Sequence, residues 1–136
     1  MRVLALDYGS ARCGVAVSDP TGVLATPLEA VLKPGGRKGM GQILALVREL
    51  GAERVVVGLP LSLSGGDSAQ TREARDFAAV LERRLDGVPV ELYDERFTTV
   101  LAQRDGERGT RAPRASEDSR AAAHLLSSWL ERHAHA

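Results

Sequence analysis

Val3-Leu4-Ala5-Leu6 is an unbroken apolar run, and a carboxylate, Asp7, closes it. A run this short with no polar residue suits a strand buried on both faces. Val55-Val56-Val57 repeats the pattern later in the chain. Buried strands of this kind need helices on the faces of their sheet. A central strand that carries an acid to the sheet edge sets a polar group on a rigid element. Aspartate also starts turns, and Gly9 follows at once, so Asp7 taken alone is equally well read as a turn residue.

The 136 residues fit one domain, 1–136, with a substantial core. Hydrophobic residues make up 43% and aromatics 4%, so that core is aliphatic. Lysine plus arginine equals aspartate plus glutamate at 18 each. With no net charge, attraction to nucleic acid has to come from local clusters or from a metal. Cys13 is the only cysteine, which excludes an intrachain disulfide and favours a reducing compartment. No signal peptide opens the chain and no apolar run is long enough to span a bilayer. The expectation is a cytoplasmic protein away from the membrane.

Cys13 to Ser18 reads as a second strand, antiparallel to the first across a short turn. Asp19-Pro20-Thr21-Gly22 is a turn, and Val23 to Leu32 a third strand whose Pro27 suits an edge. Lys33 to Gly41 is a basic, glycine-rich loop. Met40, Ile43, Leu44, Val47 and Leu50 keep helical spacing up to a capping Gly51. The fourth strand, around Val55-Val57, ends at Gly58-Leu59-Pro60. Asp67 and Gln70 resemble a capping box for a helix with Ala74, Phe77, Ala78, Leu81 and Leu85 on one face. Val88 to Tyr93 is a fifth strand, with Asp94-Glu95-Arg96 at its end. Thr98 or Thr99 caps a short helix to about Asp105, and Ser116 opens a last helix carrying Ala122, Leu125, Leu126 and Trp129. The order predicts an α/β fold with a mixed sheet flanked by helices.

Asp7 and Glu95 each follow a strand, where open α/β sheets place their ligand sites. At about 100° per residue, Asp118 falls on the stripe of Ala122, Leu125 and Trp129, whereas Glu117 is turned away from it. An acid on a buried stripe must be paired, capped or metal-bound. Acids also favour a first helical turn, and Glu95 has Arg96 beside it, so each acid also has a purely structural reading. Together, three carboxylates with no nearby histidine or cysteine suit a hard cation, Mg²⁺ or Mn²⁺. Paired divalent ions so held activate water and stabilise the leaving oxygen in phosphodiester hydrolysis.

Four blocks carry a family resemblance, in order, over nearly the whole chain. They are Asp7-Tyr8-Gly9 with Gly14-Val15-Ala16-Val17-Ser18-Asp19; Val57-Gly58-Leu59-Pro60-Leu61; Asp94-Glu95-Arg96-Phe97-Thr98-Thr99; and Asp118 with Ala121-Ala122. On these the chain resembles the YqgF/RuvX family of RuvC-like nucleases. The resemblance implies an RNase H-like fold, a five-stranded sheet of order 3-2-1-4-5 with only strand 2 antiparallel. It implies that Asp7, Glu95 and Asp118 are the catalytic, metal-binding acids. It implies maturation of the 5′ end of the small-subunit (16S) ribosomal RNA precursor, resolution of Holliday junctions, or both. Glu117 stands where the family more often has an aliphatic residue, and the stretch before the last helix is short.

Arg96, Arg104, Arg108, Arg111 and Arg114 face only Asp105 and Glu107 within their segment, which suits contact with phosphates. The same arginines also suit a solvated loop. Arg12 and Ser10 are further candidates for phosphate contact. Aromatic residues are scarce, so nucleic acid would be held by backbone and shape. Symmetric cutting of a four-way junction implies a homodimer, whereas trimming one RNA end does not. Two other readings compete with the nuclease. One is a non-catalytic nucleic-acid-binding module of the same fold, assisting ribosomal RNA maturation or transcription. The other is an actin-like ATPase, which shares an Asp-x-Gly turn but needs two such domains around its nucleotide.

Overall fold

The computed structural model describes residues 1–61, 66–97 and 119–133. Five strands form one sheet: β1 (Val3–Asp7), β2 (Arg12–Ser18), β3 (Ala25–Leu32), β4 (Arg54–Leu59) and β5 (Val90–Asp94). Their order is β3-β2-β1-β4-β5. β2 runs antiparallel to β1 and β3, while β1, β4 and β5 are parallel. The expected order and the single reversed strand are both present. Three helices complete the described chain: α1 (Arg37–Leu50), α2 (Ala69–Arg84) and α3 (Arg120–His133).

Alternation along the central strands builds two cores. Leu4, Leu6, Val55 and Val57 pack with Ile43, Val47, Phe77 and Leu81 on the α1/α2 face. Val3, Ala5 and Val56 pack with Ala122, Leu125, Leu126 and Trp129 of α3 on the other. That arrangement is why β1 and β4 read as continuous apolar runs. Trp129 is the core anchor of its face. Its indole N–H donates to Glu91 Oε2 at 2.9 Å, and Glu91 pairs with Arg54 at 3.1 Å. His124 is buried because α3 also covers sheet with Leu126, Ser128 and Leu130. Cys13 is packed in the core.

Element ends differ from expectation where a side chain takes over backbone partners. β3 starts at Ala25 because Asp19 Oδ1 accepts the N–H groups of Val23 and Leu24, both at 2.8 Å. β5 starts at Val90, just after Pro89, which has no N–H for a ladder. α2 is capped by Ser68 and Thr71, not by Asp67 and Gln70. Ser68 Oγ accepts the Thr71 N–H at 3.2 Å, the Ser68 N–H donates to Thr71 Oγ1 at 3.1 Å, and that hydroxyl donates to Pro60 O at 2.7 Å. The last bond fixes the start of α2 against the end of β4. Asp67 pairs instead with Arg75. α1 begins at Arg37, three residues before the first residue of its apolar stripe, and Gly51 caps it in the left-handed conformation. The expected helix after Thr98 and the Ser116 start of the last helix lie outside the described residues. Among the described residues no helix is long and apolar enough to cross a membrane.

Candidate active site

The parallel strands β1, β4 and β5 deliver their C-terminal ends to one edge of the sheet. Asp7 ends β1, while Asp94 ends β5 and is followed by a single 3₁₀ turn, Glu95–Phe97. β4 lies between them, so the two acids can meet only across its end. Gly58 provides the passage. A Cβ at this position would stand 2.5 Å from Glu95 Oε1 and 3.1 Å from its Cγ and Cδ. The missing side chain leaves the space through which Glu95 reaches Asp7.

The two carboxyl groups are hydrogen-bonded to each other. Burial, then the hydrogen bond and charge of Asp7, then the charge of Asp94, push the Glu95 carboxyl up to about 8. Near neutral pH, Glu95 therefore holds a proton and donates it to Asp7. Asp94 faces the other way. Arg96 Nε and Nη2 grip it at 2.6–3.0 Å, and this pairing holds its carboxyl below the usual range. Arg96 thus pairs with Asp94, where the sequence reading considered an ion pair with Glu95.

Asp7, Tyr8, Gly9, Ser10, Pro60, Gln70, Glu73 and Glu95 line a cleft of about 470 Å³. The Gly9 turn is tight: a Cβ there would lie 2.7 Å from Arg12 O. Tyr8 rests on Phe77 with ring centroids 4.6 Å apart. Its hydroxyl is pushed up by burial, then by the charges of Glu73 and Cys13. Gln70 and Glu73 were not anticipated as site residues. They flank the buried stripe of α2, and only the anchoring of that helix to Pro60 turns them toward the acids. Arg12 is exposed at the start of β2, outside the cleft lining. Asp118, Glu117, Arg104, Arg108, Arg111 and Arg114 lie outside the described residues.

Two oxygen-donor acids in contact, one of them half-buried with its carboxyl pushed up by burial and by its partner, fit a divalent metal ion. Among the described residues no group of three or more acids, histidines or cysteines is placed to hold a metal ion.

A mixed 3-2-1-4-5 sheet with helices on both faces is an RNase H-like fold, and here it carries this acid pair at one edge. The family model of RuvX, described as a Holliday junction resolvase, matches residues 1–132, and the chain belongs to that family. A protein of Mycolicibacterium paratuberculosis named "Putative pre-16S rRNA nuclease" is 48% identical over 134 residues, covering 96% of this chain and 80% of its own. A Thermobifida fusca protein of the same name is 46% identical, covering 94% and 86%. Among solved structures, Thermus thermophilus RuvC in complex with a Holliday junction substrate aligns with a TM-score of 0.63 at 22% identity, covering 98% of this chain and 96% of that one. A second Thermus thermophilus RuvC structure aligns at 0.56 and 20%, covering 97% and 96%. At these identities the likeness concerns the fold.

Proposed function

We propose that the chain is a divalent-metal-dependent endonuclease acting on precursor 16S ribosomal RNA, on four-way DNA junctions, or on both. The observation that carries this reading is the hydrogen-bonded Asp7–Glu95 pair in a polar cleft at the sheet edge. The names of the family and its relatives supply the substrate classes. Mg²⁺ or Mn²⁺ is the cofactor of this reading, held by Asp7 and Glu95 with Asp118 as the third acid. Once bound, the ion activates water and stabilises the leaving oxygen.

Support for Asp118 comes from its neighbour. Ser119 Oγ accepts the Val15 N–H at 2.9 Å. Val15 pairs with Leu6, the residue before Asp7. The chain therefore re-enters the described fold one residue after Asp118, against the strand pair that ends at the cleft. Asp7 and Glu95 would hold the cation, and Glu95 would give up its proton to do so. Ser10, at the rim, offers a hydroxyl to a phosphate oxygen, with Arg12 beyond it. Arg96, Arg104, Arg108, Arg111 and Arg114 complete the set of proposed phosphate contacts. Symmetric junction cutting would require two copies related by a two-fold axis.

The test is to incubate labelled four-way junctions and precursor 16S RNA with the protein in EDTA, Mg²⁺ or Mn²⁺, alongside Asp7→Asn. The expected result is metal-dependent cutting that disappears in the variant. Binding without cutting under every condition would favour the non-catalytic module instead.

A further inference from the structure

The basic, glycine-rich segment after β3 has no part in the site above, although the fold sets it beside that site. Lys33 N–H donates to Ala11 O at 2.9 Å, and Arg12 pairs with Leu32. The segment thus lies against the Gly9–Arg12 turn that follows Asp7. A methyl on Gly35 would stand 3.5 Å from the Tyr8 hydroxyl, so the segment also borders the acid-bearing cleft.

Its placement is constrained by the backbone. Lys33 adopts a φ of 47°, and Gly39 packs so closely on the carbonyls of Leu32 and Lys33 that no side chain fits there. The result is three exposed cations, Lys33, Arg37 and Lys38, on one edge. None of them forms an ion pair with a described residue. α1 starts among them with no acid in its first turn and no side-chain cap, which adds to the positive field. Glu29 and Glu49 line the groove beside α1 but do not neutralise the cluster by pairing.

Along this edge the order is cations beyond β3, Arg12 at β2, Asp7 at β1 and Glu95 beyond β5. With strands about 4.8 Å apart, the ends of β3 and β1 are separated by about 10 Å. That span matches about three phosphates of a duplex strand, at roughly 3.4 Å of helix axis each. We propose that Lys33, Arg37 and Lys38 form a rail for the sugar-phosphate backbone of the nucleic acid, leading it to the Asp7–Glu95 pair from the β3 side. The proposal rests on the nucleic-acid reading above and extends it. Three flexible or forked cations grip phosphates without reading bases.

The test measures binding by fluorescence anisotropy in EDTA, where no cutting occurs. The probes are a fluorescein-labelled single-stranded RNA and a labelled four-way DNA junction, each titrated with salt. The variant Lys33→Gln/Arg37→Gln/Lys38→Gln removes the charges, keeps polar unbranched side chains and is checked for an unchanged melting curve. Arg48→Gln/Arg83→Gln/Arg84→Gln, in the last turns of α1 and α2, is the charge-matched control. The expected result is a loss of affinity of about ten-fold or more in the triple variant, with a salt slope shallower by about 2, since each phosphate contact contributes about 0.7–0.9. The control should keep the wild-type slope. In cleavage, KM should rise and kcat hold. A triple variant with wild-type affinity and slope overturns the rail while leaving the nuclease reading intact. A wild-type protein that binds neither probe overturns both. If Asp7→Asn cuts nothing but binds with the full slope, the rail stands without requiring catalysis.

Discussion

At the scale of single residues, the site depends on one missing side chain and one shared proton. All three nearest atoms to a Cβ at Gly58 belong to Glu95, so Gly58→Ala should displace the acid and spare β4. A catalytic group misplaced by about 1 Å loses about 10²-fold in rate. We expect that loss in kcat, with KM for nucleic acid and the melting temperature little changed; equal cleavage by the variant would show that the position of Glu95 does not matter. The shared proton has a pH signature. Glu95 titrates at about 8 in the folded chain and in the ordinary carboxylate range when unfolded. Between those values the folded state binds the extra proton, so stability falls as pH rises through that window. Metal-free melting temperatures should therefore drop between about pH 5 and about pH 8, and Glu95→Gln should flatten that drop. Calorimetry of Mn²⁺ binding at neutral pH, in buffers of different ionisation enthalpy, should report release of about one proton per ion.

At the scale of elements, α3 is anchored at its start by a long-range hydrogen bond. Ser119 is fully buried, and its hydroxyl satisfies a strand N–H that lies 104 residues earlier in the chain. Ser119→Ala leaves the Val15 N–H buried and unpaired, at a cost of about 1–3 kcal/mol. A denaturant melt should show that loss, and cleavage should fall further than stability alone explains, because Asp118 precedes this anchor. No periodicity announces such a bond, which is why Ser119 was not legible in the sequence. The apolar stripes were legible: Ile43 and Val47, then Phe77 and Leu81, then Leu125 and Trp129 are all buried in the cores on either side of the sheet. The ends of elements were less so, because the carboxylate of Asp19 and the hydroxyl of Ser68 compete for backbone partners within three to five residues. Asp7 and Glu95 could be read because each stands at or just after the end of a strand. Gln70 and Glu73 could not, since their exposure to the cleft depends on how α2 docks at Pro60.

At the scale of the whole molecule, the fold supports an arrangement that does not favour its own stability. Two acids are held in contact at the edge of a sheet that is otherwise apolar on both faces. Without a cation, one of them must keep its proton or repel the other. Natural sites of this kind trade stability for function, and relieving the conflict commonly stabilises a protein. Asp7→Asn tests this. The amide can still accept the Glu95 proton, and the like charge is gone. Above about pH 8, where wild-type Glu95 gives up its proton beside Asp7, the metal-free variant should melt at or above the wild-type temperature. Metal reverses the ranking. At ten times its dissociation constant, an ion that binds only the folded state adds about 1.4 kcal/mol. Wild type should gain that increment with Mn²⁺, and the variant should gain almost nothing. A variant stabilised by Mn²⁺ as strongly as wild type would remove Asp7 from the proposed metal set. A variant destabilised without metal would show that the Asp7 carboxylate supports the fold and is not a strain within it.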